Sequence, residues 1–120
     1  MQRVSEYLSS HGVHARVELV RTPADLPDAA ARAAAGDAEI VVAGGGEGTI
    51  AAVAARGLDT PKILGVLPLG TFNYFAQRIG VPLDLDAALE VPATATTTKA
   101  MSVGEVNGRV FLNNSSIGLY

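Results

Sequence analysis

In Val41-Val42-Ala43-Gly44-Gly45-Gly46-Glu47-Gly48-Thr49-Ile50 a short β-branched run enters a glycine-rich loop and leaves it through an acid and a threonine into an Ala-rich segment. Four glycines around one carboxylate leave the backbone nearly bare. A bare backbone can turn successive N–H groups toward one point and form an anion-sized concavity. A helix starting near Thr49 would bring further unpaired N–H groups and positive dipole to the same place. These features suit a nucleotide phosphate. They equally suit a tight strand-to-helix turn with nothing bound.

Two familiar phosphate loops are excluded. A Walker loop needs a lysine beside the helix-start Ser/Thr, and the first lysine of the chain is Lys62. The dinucleotide pattern G-x-G-x-x-G, begun at Gly44 and Gly46, meets Thr49 at its sixth position. Any phosphate here is therefore held without a loop lysine. Glu47 then reads as a proton acceptor or a ligand to metal-bound water, because a bare carboxylate repels phosphate unless a cation lies between them.

Working outward, apolar runs alternate with helical stretches. Residues 4–10 read as a helix ending at Gly12, and residues 15–21 alternate like a strand, with Val17 and Leu19 on one side and Arg16 and Glu18 on the other. Asp25 is placed to cap an Ala-rich helix with Pro27 in its first turn, ending at Gly36. Residues 39–43 read as a buried strand, 50–56 as a helix ended by Gly57, 62–67 as a second buried strand, and 73–79 as a helix ended by Gly80. Strand–helix alternation of this kind implies βαβ units and a parallel sheet. Beyond about Pro92 the chain turns Thr-rich and β-prone, with Asn107-Gly108 as a type I′ hairpin signal between residues 94–106 and 109–113. The expected organisation is an α/β lobe over residues 1–92, lacking its first strand, and the start of a β-rich second domain over 93–120.

Composition narrows the function classes. The chain has 120 residues, 48% hydrophobic, with a net charge of −3 and no cysteine. Its mean hydropathy is +0.28. Disulfide frameworks and thiolate metal sites are excluded. The nine basic residues are scattered, which argues against a nucleic-acid surface and a polybasic membrane anchor. His11 and His14 read as surface residues. With no signal peptide or membrane-length apolar run, a cytoplasmic protein is expected.

A second turn repeats the first. In Leu64-Gly65-Val66-Leu67-Pro68-Leu69-Gly70-Thr71-Phe72-Asn73-Tyr74-Phe75-Ala76, Gly70-Thr71 stands where Gly48-Thr49 stands one unit earlier. In a parallel sheet both turns lie at the carboxyl edge, where open α/β folds place ligands. Each threonine is equally a plausible helix cap. Asn73 is a cap or a ligand donor, and Tyr74 and Phe75 read as core.

At these residues the chain resembles the diacylglycerol kinase catalytic domain family. Gly45-Gly46-Glu47-Gly48-Thr49 is similar to its G-G-D-G-T motif, and residues 68–76 are similar to its P-L-G-T-x-N-D-F-A segment. Val106-Asn107-Gly108-Arg109-Val110-Phe111-Leu112-Asn113-Asn114 is similar to the V-N-G-R-x-F-x-N hairpin of the bacterial lipid-kinase branch, with Ile117-Gly118 at that branch's glycine. The resemblance covers nearly the whole chain in order and spacing. It implies a three-layer, phosphofructokinase- and NAD kinase-like lobe and a kinase using ATP and Mg²⁺ to phosphorylate a lipid hydroxyl, diacylglycerol or a related acceptor.

By the same resemblance, Gly44, Gly45, Gly46, Glu47, Gly48, Thr49, Ile50, Gly70, Thr71 and Asn73 would bind nucleotide, and Thr22 would do so on position alone. Glu47 would be catalytic, holding Mg²⁺ through water. On that basis Glu47→Gln is expected to remove most activity and Glu47→Asp to retain it. Two positions depart from the family pattern, Glu47 and Tyr74, both in place of Asp. The resemblance further implies transient contact with the inner membrane face through a missing domain, without which the fragment is expected to be inactive, and the strand edge left unpaired by the missing first strand is expected to allow a homodimer. The alternatives are a NAD kinase-like enzyme on the same loop and a non-catalytic nucleotide-binding relic.

Overall fold

The computed structural model describes residues 2–58, 60–70, 73–94, 104–106 and 109–111. Helix α1 (Gln2–Ser10) is followed by a stretch without regular secondary structure, a 3₁₀ turn at Pro23–Asp25 and helix α2 (Leu26–Ala35). Strand β1 (Ile40–Gly45), helix α3 (Glu47–Gly57) and strand β2 (Ile63–Pro68) then form one βαβ unit. Helices α4 (Tyr74–Arg78) and α5 (Leu85–Thr94) come next, and then a hairpin of β3 (Gly104–Val106) and β4 (Arg109–Phe111). No helix among the described residues is long and apolar enough to cross a membrane.

Strands β1 and β2 pair in parallel, Ile40 opposite Ile63 and Gly45 opposite Pro68, so both turns leave the same end of the sheet in step. Adjacent strand residues point to opposite faces. Val66 therefore joins a cluster with Ala43, Ile50 of α3, and Phe75 and Ala76 of α4. Its neighbour Leu67 joins a second cluster with Val4 and Leu8 of α1 and Ala88 and Leu89 of α5. Ile50 is wholly buried, a burial that stabilises by about 1.5–3 kcal/mol. Gly65 lets the sheet pack closely on that second face, since a Cβ there would lie 3.1 Å from Val42 and 3.7 Å from Pro92 of α5.

Local signals end the helices. After α1, Gly12 takes φ +71°, Gly12 N–H donates to Ser9 C=O, and Val13 N–H donates to Leu8 C=O. After α4, Gly80 at φ +83° supports the same pair of bonds, Gly80 to Gln77 and Val81 to Ala76. Both ends are Schellman caps, and both need a left-handed residue. The Lys62 ammonium closes the end of α2 by donating to the carbonyls of Gly36, at 2.6 Å, and Ala38.

Several expectations are corrected. Residues 15–21 form no strand, and among the described residues the parallel sheet has two strands. A cleft of about 1260 Å³ lies between this stretch and β1. The stretch is held instead from α2, through the Glu18–Arg32 ion pair. That pairing lowers the Glu18 carboxyl below its ordinary range. Asp25 does stand at the α2 N-cap position, but its carboxylate makes no capping bond and accepts from the Thr22 hydroxyl at 2.8 Å. Helix α3 begins at Glu47, so Gly46 rather than Thr49 is its N-cap. Tyr74, expected in the core, is 57% exposed.

Helix α5 has no counterpart among the expected elements, and Pro92 lies inside it. Its start is capped by Asp84, whose carboxylate accepts from Ala87 N–H at 3.0 Å. The hairpin matches its expected register, Val106 opposite Arg109. Its Asn107-Gly108 turn, residues 95–103 and 112–120, and Thr71-Phe72 lie outside the described residues.

Candidate functional site

The first turn is built by running the sheet straight into a helix. Gly44 and Gly45 close β1, Gly46 caps α3, and Glu47, Gly48 and Thr49 form the first helical turn. The first intrahelical bond runs from Ile50 N–H to Gly46 C=O at 3.1 Å. The amides of Glu47, Gly48 and Thr49 therefore precede the ladder without an intrahelical acceptor, and the helix dipole adds positive character around them. A Cβ on Gly48 would have no atom within 4 Å, so this turn faces open space. Ile50 lies in the core and contributes packing beneath the turn.

The second turn is pressed onto the first. A Cβ on Gly70 would lie 2.5 Å from the Gly46 Cα and 3.0 Å from its nitrogen, a separation no side chain can occupy. The two turns meet backbone to backbone because Gly70 is glycine; a Cβ on Gly46 would lie 3.8 Å from the Gly70 Cα, an ordinary contact. Asn73 shapes the second turn from inside: Gly70 N–H donates to Asn73 Oδ1, and Asn73 Nδ2 donates to Gly70 C=O, both at 2.9 Å. Asn73 is 8% exposed and stands at φ 56°, ψ 41°. Its side chain holds the turn and makes no capping bond to α4.

Glu47 joins the two turns. Its Oε1 accepts from Phe75 N–H of α4 at 2.8 Å, while Oε2 is enclosed with no hydrogen-bond partner among the described residues. Thr22, Gly44, Gly46, Gly48 and Thr49 are among the residues that line the cleft beside β1. Arg21, which the sequence reading passed over, lines that cleft too. Its signal was its place directly before Thr22. Gly45 packs its backbone against the Thr49 side chain, where a Cβ would meet Thr49 at 3.0 Å. Thr71 lies outside the described residues.

Comparison with known proteins gives this arrangement its context. Residues 1–106 match the diacylglycerol kinase catalytic domain. A protein of Yersinia enterocolitica named probable lipid kinase YegS-like is 35% identical over 115 residues, covering 92% of this chain and 38% of that protein. Proteins of the same name from Pseudomonas syringae and Citrobacter koseri are 46% and 42% identical over 80 and 85 residues, covering 65% and 67% of this chain. Those matches take in 26% and 28% of the relatives' lengths, so the chain spans well under half of the curated relatives it matches. With matched glycine turns at one sheet end and a family match over most of its length, the chain belongs to the diacylglycerol kinase catalytic domain family.

Proposed function

We propose that the protein transfers the γ-phosphoryl group of ATP to the hydroxyl of a lipid, diacylglycerol or a related acceptor. The observation that carries this reading is the backbone contact between Gly46 and Gly70 at one end of the parallel sheet. Two bare turns in contact make a cradle where phosphate oxygens can approach main-chain N–H groups closely. The amides of Glu47, Gly48 and Thr49 bind the nucleotide phosphates, and Thr22 and Arg21 line the cleft that Gly48 and Thr49 also line. Phosphoryl transfer suits such a site, because positioning and electrostatics supply most of the catalysis. The relatives' names favour a lipid acceptor over a nicotinamide nucleotide. A cytoplasmic enzyme working at the inner membrane face accords with that acceptor.

Mg²⁺ bound with ATP would neutralise charge on the phosphate oxygens. Among the described residues the carboxylate in the turns is Glu47, whose Oε1 accepts from Phe75 N–H and whose Oε2 is enclosed, and no step at this site is assigned to Mg²⁺ on Glu47.

Transfer of labelled phosphate from ATP to diacylglycerol in mixed micelles, by the whole protein and by Gly70→Ala, tests the proposal. The added methyl forces the turns apart, and about 1 Å of misplacement reduces rate roughly a hundredfold. Labelled lipid from the wild type and a loss of that order in Gly70→Ala are expected. Absence of labelled lipid, or labelling of NAD instead, contradicts the proposal.

A further inference from the structure

Asn73 leaves a gap that its own helix cannot fill. It is the N-cap residue of α4, and an N-cap side chain ordinarily accepts from the N–H two or three residues on. Here that side chain is turned back onto both polar groups of Gly70, and it makes no capping bond. The second amide of α4, Phe75 N–H, therefore needs another acceptor. Glu47 supplies it from 28 residues away, at 2.8 Å. One carboxylate thus belongs to the first turn by chain and to the second by hydrogen bond, beside the point where Gly46 and Gly70 touch.

We propose that Glu47 is a positioning residue, a brace that locks the second glycine turn onto the first. Helix α4 has five residues, too few to hold its own shape without tertiary support. The bond needs the length of a glutamate. The substitution Glu47→Asp would draw the carboxylate back by about 1.5 Å, one carbon–carbon bond, and take the contact well beyond the 2.7–3.2 Å range of N–H···O bonds. Asp is the residue usual in the family motif, yet in this chain it is predicted to fail. The functional meaning of the brace rests on the nucleotide-site reading above; the brace itself does not.

Hydrogen exchange at the Phe75 amide, read by NMR on the whole protein, separates reach from charge. Glu47→Gln keeps the length and an accepting oxygen, so Phe75 stays protected. Glu47→Asp keeps the charge and loses the reach, so exchange at Phe75 accelerates about ten- to a hundredfold, the loss of one hydrogen bond to a charged acceptor. ATP affinity measured with EDTA present falls in Glu47→Asp more than in Glu47→Gln. A ligand to metal-bound water would give the reverse order in activity and no change at Phe75. Equal protection in all three proteins, or Glu47→Gln exchanging as fast as Glu47→Asp, overturns the brace. The wild type provides a check that needs no variant to fold: a scalar coupling through the hydrogen bond, from the Phe75 amide nitrogen to the Glu47 side-chain carboxyl carbon. Its absence also overturns the brace. If Phe75 responds as predicted and ATP does not bind, the brace stands and the nucleotide reading falls.

Discussion

Asn73 sits in the left-handed region, where most L-residues are strained by roughly 1–2 kcal/mol. Asparagine tolerates that backbone, and its amide offers one acceptor and two donors. Both kinds are used on Gly70. Asn73→Ala removes two hydrogen bonds and keeps the strain, so thermal unfolding is expected to show a loss of about 2–4 kcal/mol. Asn73→Gly removes the bonds without strain and should lose roughly half as much. Equal losses in the two variants would show that the backbone conformation contributes nothing. The residues of this turn were readable as chemistry and unreadable as geometry. Sequence offers cap and ligand donor for Asn73 on equal terms, and in the structure its side chain bonds Gly70 and makes no capping bond. Glu47 is similar, since its partner amide lies in a helix whose start could not be set to the residue.

Elements with strong local signals were readable in advance. The glycines after α1 and α4 and the apolar runs of β1 and β2 stand where expected. Helix α5 carried its own signal in Asp84 as cap and Leu85, Ala88 and Leu89 as an apolar face, but Pro82 and Pro92 suggested a break. Proline near the last turn of a short helix removes one ladder bond without ending it. Asp84→Ala should destabilise the protein by about 1 kcal/mol, seen as a lower Tm, and an unchanged Tm would count against the cap. Residues 15–21 show the opposite failure. Their alternation is strand chemistry, yet pairing needs a neighbour within about 5 Å, and a cleft separates them from β1. Alternation reports the faces of a strand, not its partner. In α3, Gly48 is open to solvent and sits in a helical first turn. Gly48→Ala should therefore stabilise folding by up to about 1 kcal/mol while weakening ATP binding, because the methyl intrudes where phosphate would meet amides. A gain in stability with unchanged ATP affinity would separate this turn from the nucleotide.

At the scale of the molecule, the described parallel sheet pairs β1 with β2 only, and half-exposed Ile40 and Val42 lie on β1. A strand edge with apolar neighbours invites pairing with another chain. The 120-residue chain is expected to self-associate as concentration rises in sedimentation velocity, and Val42→Lys to reduce that association; a chain monomeric at all concentrations contradicts this. Nucleotide binding rests on the two glycine turns, and the most direct measurement follows their amides in ¹⁵N-labelled whole protein as ATP is added. Saturable shifts concentrated at Gly46, Gly48, Thr49 and Gly70 are expected. Saturating shifts elsewhere, with these four amides unmoved, would contradict a nucleotide site at the turns.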